Sequence, residues 1–171
     1  ILVWRRDALA VAAPFLLLWA GAPALAYRLS LPVRPRVRAL RDDERARLRQ
    51  TARATWRYFE TFVTEADGWL PPDNFQEGEG GEADRVARRT SPTNIGMTLL
   101  STMAAHDLGY LTTERLLYRL DATLRTVEGL ERYQGHLLNW YDTSSRAPLL
   151  PRYVSTVDSG NLGGYLIALA Q

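Results

Sequence analysis

The order of hydrophobic and polar positions divides the chain into three regimes. Ala8 to Tyr27 is an apolar run of 20 residues with no charge inside it. About 20 residues of helix cross a bilayer core of roughly 30 Å, so this run predicts a membrane span, with Pro14 and Pro23 tolerable inside it. Ser30 to Arg41 is polar, with Pro32, Pro35 and four arginines, and reads as a stiff juxtamembrane linker. From Asp42 onward apolar residues recur every three or four positions, the spacing of amphipathic helices.

Four helices are predicted in this last regime. Asp42 or Asp43 caps the first, and Leu48, Ala52, Thr55, Trp56, Phe59, Phe62 and Val63 form its apolar face. Gly68 interrupts it, and the Trp69–Gln76 stretch follows as an extended loop held out of helix by Pro71 and Pro72. Glu77 to Asp84 is rich in Gly and Glu and reads as a surface excursion. Ser91 or Thr93 starts the next helix, with Ile95, Met97, Leu99, Leu100, Met103 and Ala104 inward and Gly109 as its stop. Thr112 or Thr113 caps a third, striped by Leu116, Leu117, Leu120, Leu124, Val127 and Leu130. His136 to Thr143 reads as strand or ordered loop. Asp158 or Ser159 caps a last helix containing Leu162, Tyr165, Leu166 and Ile167. The expected fold is all-α: one transmembrane helix (1–29), a basic linker (30–41), and the opening helices of an incomplete (α/α) helical barrel (42–171). The chain starts at Ile1 and stops inside an apolar run, so it is expected to be an internal piece of a longer protein.

Charge sharpens the membrane reading. All 21 basic residues are arginine, and the formal net charge is only +2. That balance argues against nucleic acid. Five arginines (28, 34, 36, 38 and 41) follow the apolar run and two (Arg5 and Arg6) precede it, which by the positive-inside rule puts residues after 28 in the cytoplasm. Two rival readings are a secretory signal, with Arg5-Arg6, the apolar stretch and Ala24-Leu25-Ala26 as a cleavage site, and a buried core helix, against which the length of the uncharged run argues. There is no Cys, and His106 and His136 lie in no metal-binding spacing, so no metal is expected.

Candidate chemistry sits in four polar loops. Thr90-Ser91-Pro92-Thr93-Asn94 leads into an apolar helix. Ser91 and Pro92 are explained by capping, which does not need both Thr93 and Asn94, so one of these two is available for a pocket. Asn139-Trp140-Tyr141-Asp142 joins flat aromatics to amide and carboxylate, which suits the C–H faces and hydroxyls of a sugar. Equally, Trp140 and Tyr141 fit a core anchor, with Asp142 closing an Asx-turn. Asp158 and Asn161 stand at a glycine-rich helix start. Gly160, Gly163 and Gly164 imply close packing or close ligand approach there, and Asp158 can also be a plain cap. Asp73 and Asn74 follow two prolines. A glycosidase needs two carboxyls roughly 5–9.5 Å apart, and spacing leaves open whether Asp73, Asp142 and Asp158 converge.

Several motifs in one order carry a resemblance. They are Thr55-Trp56-Arg57-Tyr58-Phe59-Glu60, Trp69 to Gln76, Arg89-Thr90-Ser91-Pro92-Thr93-Asn94-Ile95-Gly96, Gly135 to Thr143, and Tyr153 to Leu162. Together they resemble the central part of bacterial cyclic β-1,2-glucan synthases over about residues 50–171. Where the family pattern has Phe-Tyr before Asn-Trp-Tyr-Asp, this chain has Leu137 and Leu138, and so lacks one aromatic hydroxyl.

The resemblance implies a very large protein of the bacterial inner membrane, with a glycosyltransferase region that uses UDP-glucose. It also implies a central glycoamylase-like domain linked to cyclisation by transglycosylation, and a phosphorylase-like region that controls chain length. The family's acid/base and nucleophile would lie beyond Gln171, so no catalytic residue is assigned here. For this segment no cofactor is expected. The partners implied are a glucan oligosaccharide, the membrane and other domains of the same parent chain. Asp73, Asn74, Thr93, Asn94, Asn139, Trp140, Tyr141, Asp142, Asp158 and Asn161 are expected to bind or shape the pocket for glucan. The alternatives are a non-catalytic glucan-binding or scaffold module, and a secreted glycoside hydrolase with a cleaved signal.

Overall fold

A computed structural model describes residues 8–31 and 38–171. Trp4, the Arg5-Arg6 pair, and Pro32, Arg34, Pro35 and Arg36 of the linker lie outside the described residues. The chain divides into two units, Ile1–Leu40 and Arg41–Gln171.

In the first unit, α1 runs from Leu9 to Ser30. It is the one helix among the described residues long and apolar enough to cross a membrane. None of its residues is buried, and Val11, Leu17, Leu18 and Trp19 are each about 70% exposed. A helix that is apolar all round and packs on nothing within its own unit is suited to lipid.

The second unit is built from four helices: α2 (Asp42–Phe62), α3 (Pro92–Asp107), α4 (Thr113–Glu128) and α5 (Thr156–Leu169). Six two-residue strands pair as three small antiparallel ribbons: β1 (Phe75–Gln76) with β2 (Arg85–Val86), β3 (Arg89–Thr90) with β6 (Tyr141–Asp142), and β4 (Arg132–Tyr133) with β5 (His136–Leu137). The β1–β2 ribbon brackets the exposed Gly/Glu-rich excursion. The β3–β6 ribbon ties two polar loops together, with Arg89 opposite Asp142 and Thr90 opposite Tyr141.

Two apolar clusters hold the helices. One contains Leu70, Ile95, Leu99, Val127, Leu130, Leu137, Leu138 and Tyr141. The other contains Trp56, Phe59, Val63 and Ala105. Arg119 of α4 reaches the second cluster, its guanidinium 5.3 Å from the ring centres of both Trp56 and Trp69. The arginine stem thus adds apolar packing while the charge rests on aromatic faces.

The helix ends revise several expectations. Ser91 caps α3, its Oγ accepting from the Asn94 N–H, with Pro92 at the first helical position. Thr112 caps α4 in the same way, and Gly109 follows α3 with φ +80°. The α2 helix already includes Asp42. The residue before it is Arg41, whose N–H donates to Glu44 Oε2 at 2.9 Å. The cap of α5 is Ser155, three residues before the expected Asp158, and its Oγ accepts from the Asp158 N–H at 3.1 Å. Asp158 therefore sits in the first turn, where a carboxylate meets the positive end of the helix.

The buried side of α3 also differs. Ile95 and Leu99 face inward as expected, but Met97 is 44% exposed and Ala104 is exposed. The inward positions are taken by Gly96, Thr98, Thr102 and Ala105. Small residues there let α5 come close: a Cβ added at Gly96 would stand 2.2 Å from Tyr165 Cδ2. The glycines of α5 itself, 160, 163 and 164, face open space. The expected close approach is real, but the glycine that permits it is on the opposite helix.

Candidate functional site

Asp73 is the hub of the polar loops. The two prolines before it end the extended segment, and its N–H donates to the Ala87 carbonyl at 3.0 Å. One carboxylate oxygen, Oδ2, accepts from Arg89 Nε at 3.1 Å and Nη2 at 2.9 Å. It also accepts from Asn74 Nδ2 at 3.1 Å, while Oδ1 accepts from Asn94 Nδ2 at 3.4 Å. The Arg89 guanidinium lies 4.8 Å from the centre of the Trp140 ring. Asp73, Asn74, Asn94 and Trp140 are thus brought together, and Arg89 is the residue that joins them.

This cluster borders a hollow of about 290 Å³ lined by Tyr58, Pro72, Asp73, Phe75, Asn94 and Met97 among others. Tyr58 donates to the Pro72 carbonyl at 2.8 Å. Burial, with the Asp73 carboxylate as a second cause, pushes the Tyr58 phenol above its ordinary range. The hollow is therefore lined by apolar and aromatic side chains together with the amides of Asn74 and Asn94 and the Asp73 carboxylate. That is the mixture expected where a polar ligand with apolar faces binds.

A second group forms at the α3–α5 junction. Thr93 Oγ1 donates to Asp158 Oδ1 at 2.6 Å, and Asn161 Nδ2 donates to Thr93 Oγ1 at 3.1 Å. Burial pushes the Asp158 carboxyl up. Hydrogen bonds from Ser155, Thr93 and Ser91 outweigh it and hold the group below the usual carboxylate range. Thr93 and Asn94, adjacent in the first turn of α3, link the two groups.

The remaining expected site residues have structural duties. Tyr141 is fully buried. Its hydroxyl donates to the Glu131 carbonyl at 2.7 Å and accepts from the Leu138 N–H at 2.6 Å. Asn139 is 5% exposed, and its N–H is bonded to the Tyr153 carbonyl. Both residues are buried among the described residues, where they can shape a pocket wall. Asp142 Oδ1 accepts from the N–H groups of Ser144 and Ser145 and from the Ser145 hydroxyl. Those donors, the Ser145 N–H first, hold its carboxyl below the usual range. The Asx-type turn was one of the two readings of Asp142, and it is the one adopted.

Two residues were missed. Arg89 carries no spacing signal for its partner Asp73, which lies on another loop. Asp67 is 8% exposed and accepts from Thr64, Arg88 and Thr143. It staples the end of α2 to the start of β3 and the end of β6, and so fixes the ribbon that presents Arg89.

Asp73, Asp142 and Asp158 are each held by separate donors. A glycosidase acid must keep its proton near neutral pH, which needs a raised pKa. Asp142 and Asp158 are shifted the opposite way.

A protein-family profile matches residues 50–156. The chain belongs to the DUF3131 family. That family is described as a protein of unknown function. This DUF3131 chain is 47% identical, over 92% of its length, to the cyclic beta-(1,2)-glucan synthase NdvB of Rhizobium meliloti (strain 1021). The resemblance carried by the sequence motifs is thereby borne out. The chain spans 6% of that relative's length. Its fold resembles a glucoamylase-like protein of Bacteroides fragilis, with a TM-score of 0.60 at 20% identity over 80% of this chain and 32% of the other. A second such structure, from Bacteroides caccae, gives 0.59 at 22% identity over 72% of this chain and 30% of the other. The DUF3131 region therefore has a glucoamylase-like helical fold.

Proposed function

We propose that this segment is one wall of a glucan-binding site in a membrane-bound carbohydrate-active enzyme that makes cyclic β-1,2-glucan. In this reading it holds the sugar chain and breaks no bond itself. The observation that carries the proposal is the Asp73–Arg89–Trp140 arrangement, whose Asp73 also lines the 290 Å³ hollow. A flat aromatic face covers sugar C–H groups, and a paired guanidinium and carboxylate offer donors and acceptors to hydroxyls. The similarity to NdvB supplies the substrate class. The low-shifted carboxyls of Asp142 and Asp158 favour binding over acid catalysis in this segment. Chemistry with UDP-glucose as donor would fall to other regions of the parent protein.

Titration of the membrane-reconstituted protein with linear β-1,2-glucan tests this. Trp140→Ala should weaken binding by about 1–2 kcal/mol, the cost of removing a central aromatic contact. Absence of binding, or affinity unchanged by Trp140→Ala, would sink the reading. The same proposal places α1 in the bacterial inner membrane with residues after 28 on the cytoplasmic side. A topology reporter fused after Arg41 should be active only in the cytoplasm; periplasmic activity would favour the secreted alternative.

A further inference from the structure

Arg41, Arg45, Arg49, Arg53 and Arg57 recur at every fourth residue, from the start of α2 through most of its length. Each step of four turns the helix by about 40°, so neighbours in the row lie side by side and the ridge they form winds through about 160° from Arg41 to Arg57. Between Arg45 and Arg57 the chain contains five arginines, Arg47 among them, and no acidic residue. Arg41 pairs with Asp43 at 3.0 Å and Arg53 with Glu60 at 2.8 Å. Arg45, Arg47, Arg49 and Arg57 make no ion pair among the described residues, and all four are exposed. Like charges at four-residue spacing destabilise an isolated helix. The buried residues of α2, Trp56 and Phe59, come after Arg45, Arg47 and Arg49, so the apolar core does not require these three. Arg53, by contrast, lies 5.5 Å from the Tyr110 ring centre, and Arg57 sits between the two buried residues.

We infer that this arginine ridge docks on anionic lipid headgroups of the membrane that α1 spans. The inference rests on the membrane reading of α1. Three observations favour lipid over another polyanion. The helix suited to lipid ends at Ser30. Residues 31–41, the only link to α2, reach at most about 40 Å when fully extended. The formal net charge of the whole chain is only +2, so the positive field is local to this helix and does not cover the molecule. Arginine near an anionic leaflet is attracted strongly enough that several together fix a helix to the surface.

The chain contains no cysteine, so a single label can be placed cleanly. Gln50→Cys puts a fluorophore beside the ridge, and Ser144→Cys puts a control on the exposed 142–145 turn. The full chain is reconstituted in vesicles of phosphatidylcholine alone or with phosphatidylglycerol, each carrying a nitroxide-headgroup lipid. The Gln50 label should be quenched only with phosphatidylglycerol, and quenching should fade with added salt. Arg45→Gln, Arg49→Gln and Arg57→Gln together should weaken docking on the order of 100-fold, and Arg49→Gln alone about five-fold. The single variant keeps the test decisive if the triple variant misfolds. Equal quenching in neutral vesicles, no effect of Arg49→Gln, or stronger displacement by an oligonucleotide than by salt of equal ionic strength would overturn the proposal. Co-flotation without quenching overturns the ridge alone; failure to co-float with either vesicle overturns the anchor as well.

Discussion

Arg89 is the residue on which the candidate site turns. Its guanidinium makes two bonds to one Asp73 oxygen and covers the Trp140 face. Lysine cannot do both, because it lacks the planar fork. Arg89→Lys should therefore loosen Trp140 and weaken glucan binding while leaving the helix content unchanged, a pattern readable by tryptophan fluorescence and far-UV circular dichroism. Asp67 plays the supporting part. Asp67→Ala would leave the Thr143 hydroxyl and Arg88 without their shared acceptor and should cost about 1–3 kcal/mol, measured by denaturant unfolding. Acid should act on Asp158. Its folded pKa lies below the ordinary carboxylate value, so its stabilising effect is complete above about pH 4, the unfolded value. The effect is lost as pH falls through the lower folded pKa. Hydrogen exchange at the first turn of α5 should speed up in that range, and Asp158→Asn should remove the dependence. Spacing could nominate Asp73, Asn94 and Trp140, because polar residues after prolines or before an apolar helix are conspicuous. It could not show Arg89 meeting Asp73, since nothing local links the two loops.

At the scale of elements, the contact between α3 and α5 depends on one missing side chain. Gly96→Ala would drive a methyl group into the Tyr165 ring. Overpacking costs about 1–3 kcal/mol, of which better helix propensity returns up to about 1. A net loss is expected, and Tyr165→Ala in the same chain should reduce it, since residues in contact are not additive. At Gly164 no neighbour stands in the way, so Gly164→Ala should stabilise the chain by about 0.5–1 kcal/mol in a thermal melt. The five α-helices among the described residues were legible, α1 from its unbroken apolar run and the other four from apolar periodicity. Their ends were less so. Both Asp42 and Asp158 are good capping types, yet each lies inside its helix, because capping depends on where the backbone turns extended. That turn falls at Arg41 and Ser155.

At the scale of the whole molecule, the stripe that runs from α4 to Leu130 is partly covered: Val127 and Leu130 are buried and Leu120 and Leu124 pack on the same cluster, while Leu117 is 61% exposed. Apolar surface is also open on α5, where Val157 is 70% and Ile167 65% exposed. These two lie on one side of the helix with Gly160 and Gly164 between them, so no side chain screens one from the other. Such a face promotes association. Residues 41–171 alone should self-associate in analytical ultracentrifugation, and Val157→Ser with Ile167→Ser should reduce it. The sequence by itself determined the apolar span, the helical class and the family, because periodicity and motif order are properties of the chain. Only the tertiary structure decided which polar residues act together. It placed Tyr141 and Asn139 inside, turned Asp142 into a loop support and set Arg89 between Asp73 and Trp140. Those assignments depend on hydrogen bonds and ring contacts between loops far apart in sequence, which no local pattern encodes.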